Sequence, residues 1–474
     1  MNEDQNTASL KRSLSFTAVV ALGINGVIGQ GIFLLPGKAA GFLGPASLVS
    51  LIFGGVLCFL IALCFAEVAS RFDETGGAYV YARRAYGEFV GFQVGWITCC
   101  IAVISWAALA NGLMVVLSGL MPTYWQGAVD WFTGVVPWVN ASNSADVFQK
   151  TVAIMVMTAL MVVNLFGARQ GAAISTVFSV AKLAPMLLFV LVGLFFIEGG
   201  RFSDFAPEGW GSFGEATMVL LYAYVGFETL VVPAGEMENP KRNVPLALLV
   251  VMAVVTIVYV GVLSVAIGTL DGLPGHPNPV AASAHEFMGA NGGMIIAIGI
   301  AISVFGTNAG AAFVSPRRFF AMAERGDLPR LFARLDGQSG TPRAAIVLTW
   351  ALASVLCLSG SFAELAVVGV VARFLQYIPT CLAVLVLRRM SDGDPAESEG
   401  AFRVPGGPAI PLVAIGLCCW LLFNTPMARI VMGLYFVALG IGLYALRRAV
   451  DRGRATPGPV RVADSGSDSH GVDG

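Results

Sequence analysis

Gly23-Ile24-Asn25-Gly26-Val27-Ile28-Gly29-Gln30-Gly31-Ile32-Phe33-Leu34-Leu35-Pro36-Gly37 decides how this chain folds. The run lies between two apolar flanks, Phe16–Leu22 and Ala39–Leu51. Five glycines and a proline inside it oppose a continuous helix, because glycine carries the largest backbone entropy and proline has no N–H to donate. In hydrocarbon, a broken helix is tolerated only where its freed N–H and C=O groups face protein or a water-filled cavity. The segment therefore predicts a polar site near the middle of a membrane.

The rest of the chain agrees with that environment. Of its 474 residues 57% are hydrophobic and 12% charged, against about 25% charged in soluble domains. An all-α integral membrane protein is the fold class this implies. Allowing about 20 apolar residues per crossing, twelve candidate spans fall at 15–42, 45–69, 89–120, 150–167, 171–198, 213–236, 244–270, 289–322, 343–359, 361–387, 408–425 and 428–447. A short polar segment, Asn140–Ser144, separates the third from the fourth. Residues 1–14 form a polar N-terminal segment with no cleavable signal, and 448–474 a Gly/Ser/Asp-rich tail expected to be disordered. The eight cysteines sit in apolar runs without zinc-ligand spacing. No cofactor, metal or nucleic-acid partner is expected. Nor is an enzyme, since the chain shows no histidine cluster and no nucleophile paired with a base, and no βαβ unit surrounds Gly29-Gln30-Gly31 to make it a dinucleotide fingerprint.

Charge sets the orientation. Lys11, Arg12, Arg71, Arg83, Arg84, Arg169, Lys241, Arg242, Arg317, Arg318, Arg325, Arg330, Arg334, Arg343, Arg388, Arg389, Arg403 and the group from Arg447 to Arg461 fall on one side of the twelve spans. Only Lys38, Lys150, Arg201 and Arg429 fall on the other. The positive-inside rule makes the first side cytoplasmic, with both termini there, in a cell membrane.

A second interruption lies in span six, Tyr222-Ala223-Tyr224-Val225-Gly226-Phe227-Glu228-Thr229-Leu230-Val231-Val232-Pro233. Gly226 and Pro233 are spaced like Gly29 and Pro36. Spans one and six open the two halves of a five-plus-five arrangement and cross in opposite directions. Paired interruptions at corresponding places point to a transporter site between inverted repeats, here about 15–198 and 213–387 within a ten-helix core 15–387, followed by helices eleven and twelve over 408–447.

At these residues the chain resembles the amino acid–polyamine–organocation family of permeases. The block Gly29-Gln30-Gly31-Ile32-Phe33…Pro36-Gly37 is similar to that family's first-helix signature. Three more blocks follow in order: Thr75-Gly76-Gly77-Ala78-Tyr79-Val80-Tyr81 with Tyr86-Gly87 and Gly95-Trp96; Glu236-Met237-Glu238-Asn239-Pro240-Lys241-Arg242-Asn243-Val244-Pro245; and Ala321-Met322-Ala323-Glu324-Arg325-Gly326-Asp327-Leu328-Pro329 with Gly340-Thr341-Pro342. Gln30 departs from the small residue usual between the two glycines, and Asp73 stands where a proline is common. The resemblance implies a LeuT-type inverted-repeat fold and an amino acid or related amine as substrate.

The chemistry of the breaks fits such a substrate. N–H groups of Gln30, Gly31 and Ile32 at a helix start favour a carboxylate, while carbonyls of Gly23, Ile24, Tyr224 and Phe227 offer acceptors for an ammonium. Gly29 and Gly226 open the backbone, and Tyr222 and Phe33 are candidate aromatics of the seat and its gate. Lys182 lies roughly 20 Å into span five, counted from Arg169 at the helical rise, too deep to reach the surface easily. Burial disfavours the charged form of an amine, which makes it a candidate proton site. The resemblance implies more: in sodium-independent members a lysine here replaces the sodium ion that braces helices one and eight. Thr307, Asn308 and Ser315 are its candidate partners. Glu228 resembles a gating glutamate and could bond Asn25, Tyr224 or a basic substrate. Arg373, midway through span ten, pairs with Glu228 or lines an outer vestibule. Trp106 and Asn111 are candidates for the side-chain pocket. The function expected is secondary active transport by alternating access, sodium-independent and proton-coupled, with exchange as the alternative and a non-transporting amino acid sensor as a reading of a different class. Which amine is carried, and the oligomeric state, stay open at this point.

Overall fold

The computed structural model describes residues 14–136, 140, 142–166, 168–336, 339–360, 362–391 and 402–454. The expected terminal segments, apart from their inner edges, and part of the polar segment between spans three and four lie outside these residues. Helices α1 (Phe16–Val27) and α2 (Gly31–Leu43) form the first interrupted pair, followed by α3 (Ser47–Ala69), α4 (Ala78–Tyr86), α5 (Glu88–Leu120), α6 (Pro122–Val135), α7 (Ser144–Leu165) and α8 (Ala168–Gly193). The second half holds α9 (Phe213–Tyr224), α10 (Pro240–Thr269), α11 (Pro279–Glu324), α12 (Arg343–Ser359), α13 (Phe362–Ser391), α14 (Ala409–Phe423) and α15 (Met427–Arg454). Among the described residues, seven helical segments are long and apolar enough to cross a membrane, the first running from Phe16 to Ala69; Ala181–Phe196, Arg343–Ser359 and Ala409–Phe423 are shorter apolar helices.

Each expected span overlaps a helix among the described residues, and the departures have local causes. Two helices lie outside the apolar spans: α4, polar and capped on both sides by glycines at positive φ, and the amphipathic α6, which exposes Tyr124 and Trp131. Neither has the apolar length that marks a crossing. α11 is bent at Gly289 (φ 69°), which splits a short N-terminal piece from its long arm. α15 continues to Arg454, beyond the expected end of the last span.

The first break falls at Ile28–Gln30, between α1 and α2. The second is less regular. α9 stops at Tyr224, Gly226 takes φ 121°, and only short 3-10 turns follow at Phe227–Thr229 and Ala234–Glu236. A Cβ at Gly226 would collide with the carbonyl oxygen of Gly26, so the two breaks touch backbone to backbone. Asn239 then turns the chain into α10 with φ 44°, a conformation asparagine tolerates better than most residues, and Pro240 occupies the first helical position.

Three of the four sequence blocks converge on one end of this assembly. Gly76 N donates to Val232 O (2.9 Å), Leu14 N donates to Glu236 O (3.1 Å), and Glu238 N donates to Leu14 O (3.0 Å). Glu236 pairs with Arg317 (3.1 Å). The Asp327 carboxylate accepts from Tyr79 (2.6 Å), Arg83 (2.6 Å) and Arg447, tying α4 and α15 to the end of α11. At the other end Gly275 N donates to Gly37 O (2.8 Å), pinning α2 to the loop before α11.

Candidate functional site

The interrupted helices leave a set of backbone groups to be satisfied, and buried side chains satisfy them. Lys182 of α8 is fully buried, and its Nζ donates to Ile28 O (2.5 Å), Thr307 Oγ1 (3.0 Å) and Asn25 O (3.2 Å). An ammonium has three donors, and here each has an oxygen. Thr307 Oγ1 also lies 2.8 Å from Ile28 O. Asn25 Nδ2 donates to Gly306 O of α11 (2.8 Å). The Tyr259 hydroxyl of α10 lies within bonding distance of Val27 O (3.2 Å) and Ala223 O (3.0 Å), so one phenol holds the rims of both breaks. Asn308, a candidate partner of Lys182, instead donates to Leu109 O of α5 (3.0 Å).

Between the breaks lies a cavity walled by α5, α11 and α13. Gly29, Gln30, Gly31, Tyr222, Gly226 and Arg373, all candidates from the sequence, line it. Gly31 and Ile32 open α2, where N–H groups have no preceding helical turn to bond. Gln30 is buried; its Nε2 donates to Ala108 O (3.2 Å) and lies 3.4 Å from the Tyr222 hydroxyl. Its side chain occupies the space beside Gly112, where an added Cβ would be 2.6 Å from Nε2 and closer still to Cδ and Oε1. Glycine at 112 is what makes room for the larger residue at 30.

Glu228 is fully buried beside the second break. Its carboxylate accepts from Arg373 Nε (2.7 Å), the Tyr377 hydroxyl (3.0 Å) and Gly226 N (2.9 Å). Of the two roles open to Arg373, the structure gives it the pairing with Glu228; it also donates to Gly369 O (2.9 Å) and Ser105 Oγ (2.8 Å). The expected bonds from Glu228 to Asn25 or Tyr224 are not its observed partners.

Several expected site residues are placed away from the cavity. Ile24 sits a turn inside α1, where its carbonyl accepts from Ile28 N (2.9 Å), because α1 continues past Gly23 to Val27. The Ile32 side chain is fully buried and does not line the cavity, while its N–H belongs to the first turn of α2 beside Gly31. The Tyr224 ring packs on Tyr259 (5.2 Å between centroids), and Phe227 stacks on Tyr377 (5.5 Å). The Phe227 carbonyl accepts from Leu230 N (3.1 Å). Phe33 faces a separate apolar pocket with Pro185, Phe189 and Ile300. Trp106 and Asn111 are set aside by helix phase: Ala102, Ser105 and Leu109 of α5 face the cavity, while Asn111 donates to Cys357 O (3.2 Å) and Gly360 O (2.9 Å) near α12. Of the α11 candidates, Thr307 and Ser315 line the cavity. Arg318 also lines it, though its place in a basic pair near a helix end reads as a surface charge. Both Arg317 and Arg318 are buried within α11.

The family model described as "Amino acid permease" matches residues 14–438. The methylthioribose transporter of Bacillus subtilis (strain 168) is 28% identical over 455 residues, covering 94% of this chain and 95% of the relative. The serine/threonine exchanger SteT of the same organism is 28% identical over 430 residues, 88% of this chain and 91% of the relative. Its branched-chain amino acid permease BcaP is 26% identical over 447 residues, 92% and 93%. Four ordered sequence blocks, two touching helix breaks and a match across nearly the whole chain lead to one conclusion: this protein belongs to the amino acid permease family of the amino acid–polyamine–organocation group.

Proposed function

We propose that the protein is a secondary active transporter of amino acids that works by alternating access, without sodium, across the cell membrane. In this reading the twelve helical spans, with α1–α2 and α9 with its following turns as the two interrupted ones, form a five-plus-five inverted repeat plus two helices, and both termini are cytoplasmic. The observation that carries it is the set of three bonds from Lys182 Nζ to the first break and to Thr307 of α11. A fixed cation there joins the elements that must hold together around a substrate, as a bound ion would. The substrate carboxylate sits at the start of α2, on the N–H groups of Gln30, Gly31 and Ile32, and the ammonium meets carbonyl oxygens of the two breaks.

Coupling follows from what Lys182 does with its proton. In the first reading Lys182 gives up its proton as the bundle moves, and uptake is proton-coupled symport. The second reading is exchange. One observation favours it: a relative matched across 88% of this chain is a serine/threonine exchanger. Uptake into proteoliposomes, with and without an inward pH gradient and with and without internal amino acid, separates the two. Symport predicts accumulation driven by the gradient into empty vesicles; exchange predicts flux only into loaded ones. Intact transport and intact pH dependence in Lys182→Ala would remove Lys182 from coupling, and binding without flux under any condition would favour a sensor.

A further inference from the structure

Buried charge around the cavity does not balance. Lys182, Arg318 and Arg373 bring three positive charges, and Glu228 brings one negative charge. Two of the cations are compensated. Arg373 is paired with Glu228 at 2.7 Å, and Lys182 has three oxygens. Arg318 is 3% exposed and lines the cavity, yet among the described residues its guanidinium makes one bond, from Nη1 to Thr98 O (3.1 Å), and its buried Nε meets no acceptor. The acid that acts on it, Glu228, is already bonded to Arg373, so this desolvated charge is incompletely compensated, and it borders an open space.

Its depth is fixed by two helices. α5 and α11 run antiparallel, with Asn308 bonded to Leu109 O and Arg318 bonded to Thr98 O. Arg318 is therefore about three helical turns, roughly 15 Å along the axis, from the level of Thr307 and Gly29. A helical side chain leans toward its own N-terminus, which turns the guanidinium into the cavity from that end. The seat at Gln30–Ile32 and Arg318 thus mark opposite ends of one cavity.

We propose that Arg318 is a second anion subsite, which binds a carboxylate-sized anionic group at the end of the cavity remote from α2. A guanidinium presents a planar fork suited to such a group. Two sources share this chemistry: the side chain of an acidic substrate, and a free small anion such as chloride bound alongside a neutral substrate. The inference rests on the cavity being the substrate site proposed above.

The test uses the full-length protein purified in detergent and in proteoliposomes. Thermal unfolding is followed with sodium glutamate, sodium chloride and, as a neutral probe, serine or leucine, each against sodium gluconate. Wild type is expected to be stabilised by glutamate or by chloride, and Arg318→Gln to lose at least tenfold in the apparent affinity for that anion relative to the neutral probe, with Arg318→Lys recovering part of it. A glutamate effect without a chloride effect assigns the group to the substrate, and transport of acidic amino acids should show the same change in ratio. A chloride effect assigns it to a free anion, and neutral uptake should then fall on replacing chloride with gluconate. Wild type insensitive to both anions overturns the proposal even if Arg318→Gln does not fold. Equal losses for anionic and neutral probes also overturn it. A neutral probe that neither binds nor is carried counts against the function proposed above, whereas an Arg318-dependent anion effect is read independently of it.

Discussion

Gln30 and Gly112 make a lock that can be measured. A methyl group at Gly112 would enter the volume held by the Gln30 amide, within 2.6 Å of Nε2 and nearer to Cδ and Oε1. Gln30 is buried, so Gly112→Ala must push its side chain off the bond to Ala108 O (3.2 Å) toward the cavity it lines, or move α5 away from the first break. Overpacking of this kind costs about 1–3 kcal/mol, and a lost buried hydrogen bond about 1 kcal/mol more, for a total of roughly 2–4 kcal/mol. Gln30→Ala removes the obstacle and sacrifices only the amide bonds, about 1 kcal/mol. In the double variant the added methyl group at position 112 fits, and the better helix propensity of alanine over glycine returns about 0.5–1 kcal/mol. The double variant should therefore be close to wild type, with a coupling energy of about 2.5–5 kcal/mol. Reversible unfolding by sodium dodecyl sulfate in mixed micelles measures all four proteins. Additive costs within about 0.5 kcal/mol, or a Gly112→Ala variant as stable as wild type, would refute the steric argument.

Glu228→Gln leaves Arg373 without its counter-charge and should cost about 3–5 kcal/mol, while Glu228→Gln with Arg373→Met should recover at least half of that; thermal unfolding monitored by size-exclusion chromatography compares them. Gly226→Ala forces a side chain into φ 121° and against the Gly26 carbonyl; folded yield and substrate affinity should both fall at least tenfold, and a binding titration on the surviving fraction checks it. Asp327→Asn weakens three bonds at once and should lower stability by about 2–4 kcal/mol, with protease cleavage appearing near α4 before other sites.

The two breaks were legible because glycine and proline disrupt a helix wherever they occur, and a membrane tolerates that disruption only at a site. Lys182 was legible from depth alone: a lysine so far from either surface needs oxygens, and the freed carbonyls of a neighbouring break are the ready supply. What stayed hidden depends on helix rotation and on pairs far apart in sequence. Trp106 and Ser105 are neighbours in the chain, and only the phase of α5 decides that Ser105 meets Arg373. The same phase puts Gly112 under Gln30. Tyr224 and Phe227 flank the second break, and their sequence positions do not reveal that both rings turn away to pack on Tyr259 and Tyr377. Arg318 adjoins Arg317 in sequence, yet one reaches Glu236 and the other the cavity, a division set by their different directions around α11.

The carboxylate of Asp327 also bears on how the chain is made. Its partners are Tyr79 and Arg83, already synthesised when Asp327 emerges, and Arg447, which comes 120 residues later. During insertion the acid can therefore be neutralised in two stages, first by α4 and finally by the last helix. A ribosome that stops before Arg447 releases a chain whose α4 and α11 are joined but whose junction has one cation fewer. A chain truncated before Arg447 therefore lacks one of the three donors to Asp327, at the place where three of the four sequence blocks meet.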